Sequence, residues 1–284
     1  MSIFRVSYNI FKKAKEAAMQ YSNLHNHTIF SDGKCTVEEN IQAAIAKGMA
    51  SIGFSDHSYL PWGERYCIAK ARIPEYIAEV RAMQAKYKDQ IEVYLGLEQD
   101  VNSALNNRSD YDYIIGDLHD VCCEGEYYAV DSNRETMQYA IDTFFGGDAT
   151  AYAKAYFADY AEKIAELKPD VLGHIDLVTK FSLMNEEDPT YLAAAKETLI
   201  ASLEVTPIIE LNTGAISRGH RPIYPAVYLL DEVKVHGGKI TLTADSHHVE
   251  HLTFYFDEAR EIMKSRGINS MLVYKGGQFE EVGI

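Results

Sequence analysis

The sequence predicts one α/β domain built around a parallel barrel. Apolar runs alternate with helix-period segments from Tyr21 to the C-terminus, and no linker-like stretch interrupts the alternation. Strand followed by helix, repeated, gives a parallel sheet with right-handed crossovers. A histidine, aspartate or glutamate ends almost every apolar run, as expected if the strand ends of one barrel share a mouth. At 284 residues, 47% of them hydrophobic, the chain is long enough for this fold.

Seven short apolar runs predict the barrel strands, and residues 270–274 predict a short eighth strand. The seven runs cover residues 21–27, 51–57, 91–98, 113–119, 171–176, 207–213 and 239–245. Seven clear strands is one fewer than the usual barrel contains.

Helix-period segments connect these strands and cover residues 36–48, 74–88, 133–145, 151–167, 189–203, 225–236 and 250–266. In the first of them, Thr36 is the expected N-cap, Glu39 completes a capping box and Gly48 marks the end. Residues 58–72 have no clear periodicity, so we expect a loop long enough to cover a site.

Residues 1–20 are set apart from the barrel, which is predicted over residues 21–284. They form a basic amphipathic stretch, which predicts a helix that closes the bottom of the barrel or an extension ahead of a start at Met19. Glu16 and the lack of a small-residue cleavage site argue against a transit peptide.

Composition excludes several classes of partner and compartment. A formal charge of −15 and a pI near 5.1 argue against nucleic acid or an anionic membrane surface as the partner. No run of about 18 apolar residues predicts a membrane span. The four cysteines, Cys35, Cys67, Cys122 and Cys123, show neither a disulfide pattern nor a CxxC knuckle, so reduced thiols in a cytoplasmic protein are expected.

Candidate metal ligands begin with His25 and His27, which are two apart on a strand and therefore project to the same side. The other candidates at strand ends or in the next loop are Asp32, His57, Glu98, His119, His174, Asp245 and His247. Any one histidine alone could be a hydrogen-bonded structural residue, but six of the ten histidines fall at such positions. Mixed imidazole and carboxylate ligands suit zinc, manganese or iron. About three protein ligands per ion for three ions would leave positions open for water and substrate.

Seven ordered motifs resemble one known family. They are LHNHTIFSDG at 24–33, GFSDHS at 53–58, LGLEQD at 95–100, IIGDLH at 114–119, DVLGHIDLVTKF at 170–181, IIELNTGAISRG at 208–219 and LTADSHH at 242–248. Together they resemble the polymerase and histidinol phosphatase (PHP) family, and more closely its stand-alone histidinol-phosphate phosphatases.

The resemblance implies a distorted TIM-like barrel of seven strands and two or three divalent metal ions, Zn, Mn or Fe. By position, the first ion takes His25, His27, Glu98 and Asp245; Glu98 bridges to a second with His119 and His174; Asp32, His57 and His247 hold a third. Asp117 departs from the family pattern, in which a small residue such as serine is frequent at this position.

The implied activity is hydrolysis of L-histidinol phosphate to L-histidinol and phosphate in histidine biosynthesis, by attack of a metal-bridging hydroxide. The resemblance places a phosphate-binding arginine at Arg218, where a guanidinium can clasp two phosphate oxygens. It also places a basic residue at Lys180. Asp176 lies two residues beyond His174, so it is expected to orient that imidazole or accept a proton.

Three alternatives remain at this point. A PHP phosphoesterase for nucleotides or other small phosphomonoesters would use the same ligands. An amidohydrolase-like deaminase also begins with HxH and ends with an aspartate, but it would have no use for Arg218. A barrel that binds metal only for stability would be non-enzymatic.

Overall fold

A computed structural model describes residues 21–63, 65–105, 107–220 and 223–284. The prediction for residues 1–20 lies outside these residues. The described strands are β1 (Ser22–Asn23), β2 (Ser51–Phe54), β3 (Glu92–Asp100), β4 (Tyr113–Asp117), β5 (Asp120–Cys123), β6 (Glu126–Ala129), β7 (Val171–Leu172), β8 (Ile208–Asn212), β9 (Lys239–Thr243), β10 (Ser270–Lys275) and β11 (Gln278–Gly283). All seven predicted barrel strands and the short eighth strand are present, whereas β5, β6 and β11 were not predicted.

The main sheet has the order β1-β2-β3-β4-β7-β8-β9-β10-β11. Its neighbours are parallel as far as β10, and β11 returns antiparallel to β10. The sheet curls so that its first and seventh parallel strands approach: Asn26 forms a bridge with Ser246, and His27 N donates to Ser246 O at 2.9 Å. This curled parallel sheet confirms the distorted seven-stranded TIM-like barrel.

The described α-helices are α1 (Val37–Ala46), α2 (Ile73–Tyr87), α3 (Arg134–Phe144), α4 (Ala149–Leu167), α5 (Pro189–Val205), α6 (Gly214–Ser217), α7 (Leu230–Val235) and α8 (Phe256–Ser265). The capping box of α1 is confirmed, since Glu39 N donates to Thr36 Oγ1 at 3.2 Å and Thr36 N donates to Glu39 Oε2 at 2.7 Å.

Two predicted helices are too long. Within the predicted 225–236 helix, α7 is preceded by a 3₁₀ turn at Val227–Leu229. Within 250–266, a 3₁₀ turn at Val249–His251 is separated from α8 by Tyr255, whose φ of 63° lies in the left-handed region. A residue in that conformation cannot continue a right-handed helix.

Buried apolar residues form three clusters. Two pack between the sheet and the helices, around Tyr156 and Leu199 in one case and around Phe54 and Tyr76 in the other. The third includes Leu24, Tyr94, Tyr113, Ile115, Val171 and Tyr274. Because strand side chains alternate between faces, Tyr113 and Ile115 project to the same side of β4 as Asp117, so the third cluster fills the barrel below the strand ends. The barrel interior is therefore filled with side chains below one open end.

Among the described helices, none is both long enough and apolar enough to cross a membrane.

Candidate metal centre

A cavity of about 560 Å³ opens at the carboxyl ends of the parallel strands. Its lining includes Asp32, His57, His119, His174, Asp245 and His247. The other three predicted ligands, His25, His27 and Glu98, are almost completely buried beneath it. The barrel therefore brings all nine predicted ligands to one end, as its strand-end geometry requires.

The first strand's ligands are held by a polar network in the turn that follows them. Asn26 Nδ2 donates to Gly53 O at 2.8 Å, and Thr28 N donates to Asp56 Oδ1 at 2.8 Å. Asp56 also accepts from the backbone N of Ser31, next to Asp32, at 3.1 Å. Asp56 thus points away from the ligands and holds the backbone of the turn between His27 and Asp32.

The possible ligand atoms form four overlapping groups, each within a few ångströms. The groups are His27, Asp32, His57 and His247; His25, Glu98, Asp117 and His174; His25, His27 and Asp245; and His57, Glu98 and His119. Three of the histidines also belong to two groups each, but among the carboxylates of the described residues only Glu98 does, as expected of a bridging carboxylate. Asp117, which departs from the family pattern, joins as a tenth candidate.

Several buried polar atoms in these groups lack a hydrogen-bond partner among the described residues: His25 Nε2, both ring nitrogens of His27, Asp32 Oδ1 and Glu98 Oε2. Burying unused donors and acceptors costs free energy unless something else binds them. Imidazole nitrogens and carboxylate oxygens converging in this way fit bound divalent cations.

The charges of neighbouring side chains set the protonation states of the candidate ligands. Burial alone would raise the pKa of Glu98, but the surrounding imidazoles of His57, His25 and His119 hold it well below its usual range. Burial acts in the same way on Asp245, and Arg218 and His25 outweigh it, so that the pKa of Asp245 is also strongly lowered. Burial, together with the neighbouring His247 and His57, lowers the pKa of His27 to about 3. Ionised carboxylates and a neutral His27 are the forms that bind metals.

Two buried carboxylates that were not predicted contact the Nδ1 atoms of candidate ligand imidazoles. Glu210 Oε2 lies 2.8 Å from His25 Nδ1, and Asp100 Oδ2 lies 3.0 Å from His119 Nδ1. In both pairs the Nδ1 atom donates to the carboxylate, and Nε2 faces Glu98 Oε1 at the centre of the group. Asp100 could have been found from its position two residues after Glu98, on the same strand face.

Arg218 lies at the cavity wall, as predicted. Its Nη2 donates to Asp245 Oδ2 at 2.7 Å, and its Nη1 lies 3.2 Å from His247 Nδ1. The guanidinium therefore contacts two predicted ligands and borders the space where a substrate would bind.

Lys180 also lines the cavity, but its Nζ donates to Asp131 Oδ2 at 3.1 Å and to Asp131 O at 2.8 Å.

Asp176 does not line the cavity. It is fully buried and its Oδ2 accepts from Ala226 N at 2.7 Å, so it anchors the segment before α7 rather than bordering the cavity. Burial raises the pKa of Asp176 to about 7.

The loop of residues 58–72 covers one side of the cavity, as predicted, and supplies Arg65 and Tyr66 to its lining. The loop rests on the hairpin β5–β6: the Trp62 and Tyr127 rings stack at 3.7 Å with an interplanar angle of 7°, and Trp62 Nε1 donates to Asp120 Oδ2 at 3.1 Å. No periodic signal in the sequence singles out Tyr66.

Comparisons with known proteins agree with this geometry. The family model described as "PHP domain" matches residues 23–214. A Schizosaccharomyces pombe protein named "Probable histidinol-phosphatase" is 25% identical over 279 residues, covering 89% of each chain. The histidinol-phosphatase of Bacillus subtilis is 24% identical and covers 84% of this chain and 98% of its own.

Among solved structures, a histidinol phosphate phosphatase from Lactococcus lactis, crystallised with zinc, L-histidinol and phosphate, superposes with a TM-score of 0.65. It is 20% identical and covers 92% of this chain and 99% of its own, which is a likeness of fold.

Proposed function

Since this chain belongs to the PHP domain family, we propose that it is a metal-dependent phosphomonoesterase that hydrolyses L-histidinol phosphate to L-histidinol and phosphate. One observation carries the proposal: nine imidazole and carboxylate ligands converge under a cavity of about 560 Å³ whose wall bears Arg218. The relatives named histidinol-phosphatase match over most of their length, which supports this substrate over other small phosphomonoesters.

We propose two or three ions with shared ligands. His25, His27, Glu98 and Asp245 would hold the first; Glu98, His119 and His174 the second; and Asp32, His57 and His247 the third. Bound divalent cations would neutralise the phosphate charge and lower the pKa of a water molecule toward neutrality.

Arg218 is the residue we assign to the phosphate itself. A guanidinium has five donors in a fixed fork, and its two contacts to Asp245 and His247 leave donors for non-bridging phosphate oxygens. Lys180 could contribute only by exchanging its contact with Asp131 for one with substrate. Asp176 is better placed to hold the Ala226 segment than to move a proton in the cavity.

We also propose that residues 21–284 are the barrel domain and residues 1–20 an N-terminal extension or helix. The four cysteines are all free, which supports a cytoplasmic enzyme.

The decisive experiment measures phosphate release by purified, metal-loaded protein from histidinol phosphate, nucleoside monophosphates and sugar phosphates. We expect kcat/KM for histidinol phosphate to exceed the others by at least tenfold, since complementary contacts to one substrate typically separate substrates by about 10- to 100-fold or more. Equal or faster turnover of nucleotides would contradict histidinol phosphate as the substrate. The absence of phosphate release from all three kinds of compound would overturn the proposed activity.

A further inference from the structure

Asp117 is a buried carboxylate that the predicted ligand scheme does not use. Its side chain is 0% exposed, and neither of its oxygens has a hydrogen-bond partner among the described residues. The nearest basic atom is His174 Nδ1, 2.9 Å from Asp117 Oδ1. This separation is within hydrogen-bond distance, and His174 Nδ1 has no other hydrogen-bond partner among the described residues.

The backbone makes room for this carboxylate at one position. A Cβ atom added to Gly173 would lie only 1.8 Å from Asp117 Oδ1 and 2.0 Å from Oδ2. Non-bonded heavy atoms cannot approach so closely, so the Asp117 side chain fits only because residue 173 is glycine. The position of the Asp117 carboxylate therefore depends on the lack of a side chain at Gly173, which directly follows the neighbouring strand β7.

His174 takes the same posture as two other imidazoles of the centre. The Nε2 atoms of His25, His119 and His174 lie 3.3, 3.2 and 3.1 Å from the same oxygen, Glu98 Oε1. In each ring the opposite nitrogen, Nδ1, faces a second buried carboxylate: Glu210, Asp100 or Asp117. An imidazole that presents Nε2 to an ion keeps Nδ1 for a hydrogen bond, and a carboxylate there fixes the ring and makes it a stronger ligand.

Asp117 differs from the other two carboxylates in the hydrogen bonds that it accepts from other residues. Glu210 also accepts from Thr243 Oγ1 at 2.7 Å, and Asp100 also accepts from Asn102 N at 2.7 Å. Asp117 has no such additional donor among the described residues, so His174 Nδ1 is the one protein donor that they place within reach of it.

We propose that Asp117 is a positioning residue that holds His174 in the tautomer with Nε2 free, and that Gly173 is required for it to do so. The inference rests on the metal centre of the proposed function. Asp117 would then orient His174 as Asp100 orients His119. This contact would raise the affinity of the ion held by Glu98, His119 and His174.

The test measures metal binding and needs no substrate. Ions per chain are counted by elemental analysis after dialysis against a weak chelator, and dissociation constants come from chelator competition. For D117S we expect the affinity of one ion to fall about 10- to 100-fold, the usual effect of losing such a partner. D117N should retain most of the affinity, because its amide oxygen still accepts from Nδ1, and D100N serves as the matched control in the His119 pair.

Gly173 provides the second arm. G173A should weaken the same ion as D117S does, because its Cβ displaces the carboxylate, whereas the double variant D117S/G173A should be no weaker than D117S alone. Circular dichroism of the metal-free variants monitors folding, and if G173A fails to fold the comparison of D117S with D117N still decides. Unchanged affinity in D117S would overturn the proposal, and so would an equal loss in D117N, which would make Asp117 a direct ligand.

These outcomes are separate from those of the proposed function. Wild-type protein that binds ions but does not release phosphate from histidinol phosphate would contradict the proposed substrate and leave the role of Asp117 intact.

Discussion

At the level of single residues, the centre is organised around Glu98. Three imidazoles direct Nε2 at its Oε1 atom, and His57 Nδ1 lies 2.6 Å from its Oε2 atom. A buried carboxylate surrounded by so many nitrogen atoms stays ionised, as the strongly lowered pKa of Glu98 indicates. The carboxylate that two ligand groups share is thus also one whose negative charge is strongly compensated.

Replacing Arg218 by Ala should lower kcat/KM for histidinol phosphate roughly 100-fold or more, the usual effect of removing a donor that stabilises developing charge. Metal content should stay near the wild-type value, because Asp245 keeps His25 and His27 as neighbours. Steady-state kinetics and elemental analysis measure the two quantities. R218K, which retains the charge but loses the fork, should be intermediate, and wild-type kinetics in R218A would remove Arg218 from the phosphate site.

The Lys180–Asp131 pair predicts a pH-dependent contribution to stability. Burial alone would raise the pKa of Asp131, but Lys180 and His119 outweigh it and hold the pKa below its usual value. A lowered pKa means that the stabilisation is present above the ordinary carboxyl pKa of about 3.9 and is lost as the pH falls through the lower folded-state value. The pair is partly exposed, with 10% and 31% of the two side chains accessible.

K180M should therefore reduce the free energy of unfolding at pH 7 by about 1–3 kcal/mol, less than for a fully buried pair. Urea titrations at pH 7 and pH 3 measure it, with a smaller difference from wild type expected at pH 3, where Asp131 begins to take up a proton. The double variant D131N/K180M should be no less stable than K180M, and a further additive loss would show that the two side chains act independently.

At the level of elements, the loop of residues 58–72 and the hairpin β5–β6 form one wall of the cavity. The stacked rings of Trp62 and Tyr127 join them, and the loop then presents Arg65 and Tyr66 to the cavity. Ser58 N also donates to Glu98 O at 2.8 Å, so the base of the loop is fixed to the barrel while its tip depends on the aromatic contact.

W62A should raise KM for histidinol phosphate about 2- to 10-fold with little change in metal content, because an aromatic pair contributes roughly 0.5–1.5 kcal/mol. W62F should keep most of the stacking and an almost unchanged KM. Trp62 is the only tryptophan, so its fluorescence should also respond when phosphate is added to the metal-loaded wild type. An unchanged KM in W62A would mean that the loop tip does not take part in substrate binding.

The sequence predicted those elements whose pattern is local and missed those whose signal is short. Strand ends carrying ligands and the Thr36 capping box were recognised because each has a fixed spacing. The hairpin β5–β6 was missed because each strand has only four residues and its turn, Glu124-Gly125, begins with glutamate rather than the Asn or Asp usual where φ is positive. The Gly276-Gly277 turn before β11 was a usable signal for a hairpin.

The site followed the same division. The convergence of the candidate ligands could be predicted, because a strand end is a local property and a barrel brings its strand ends together. Glu210 could not be assigned to His25 because that pairing depends on the distance between two strands that are far apart in the sequence. The shortened α7 has the same cause, since Asp176 fixes Ala226 N through a tertiary contact that no propensity encodes.

At the level of the whole molecule, metal binding should stabilise the fold. Ligands that converge in the native barrel are dispersed in the unfolded chain, so ions bind the folded state selectively. Chelation should lower Tm by roughly 5–10 °C, since one site at 100-fold saturation contributes about 2.7 kcal/mol and each kcal/mol shifts Tm by about 2–4 °C in a chain of this size. Calorimetry with and without added Zn²⁺ or Mn²⁺ measures the shift, and identical melting of metal-free and loaded protein would contradict it.

The Asn26–Ser246 bridge lies where the cylinder of strands is joined, and ligands flank it on both sides. His25 and His27 stand on one edge of that seam, and Asp245 and His247 on the other. An ion shared across it would link the first parallel strand to the seventh, offsetting the entropy of closing so long a loop. In the proposed ligand scheme these four positions serve both metal binding and closure of the cylinder, whereas Arg218 contacts only the two residues of the later edge.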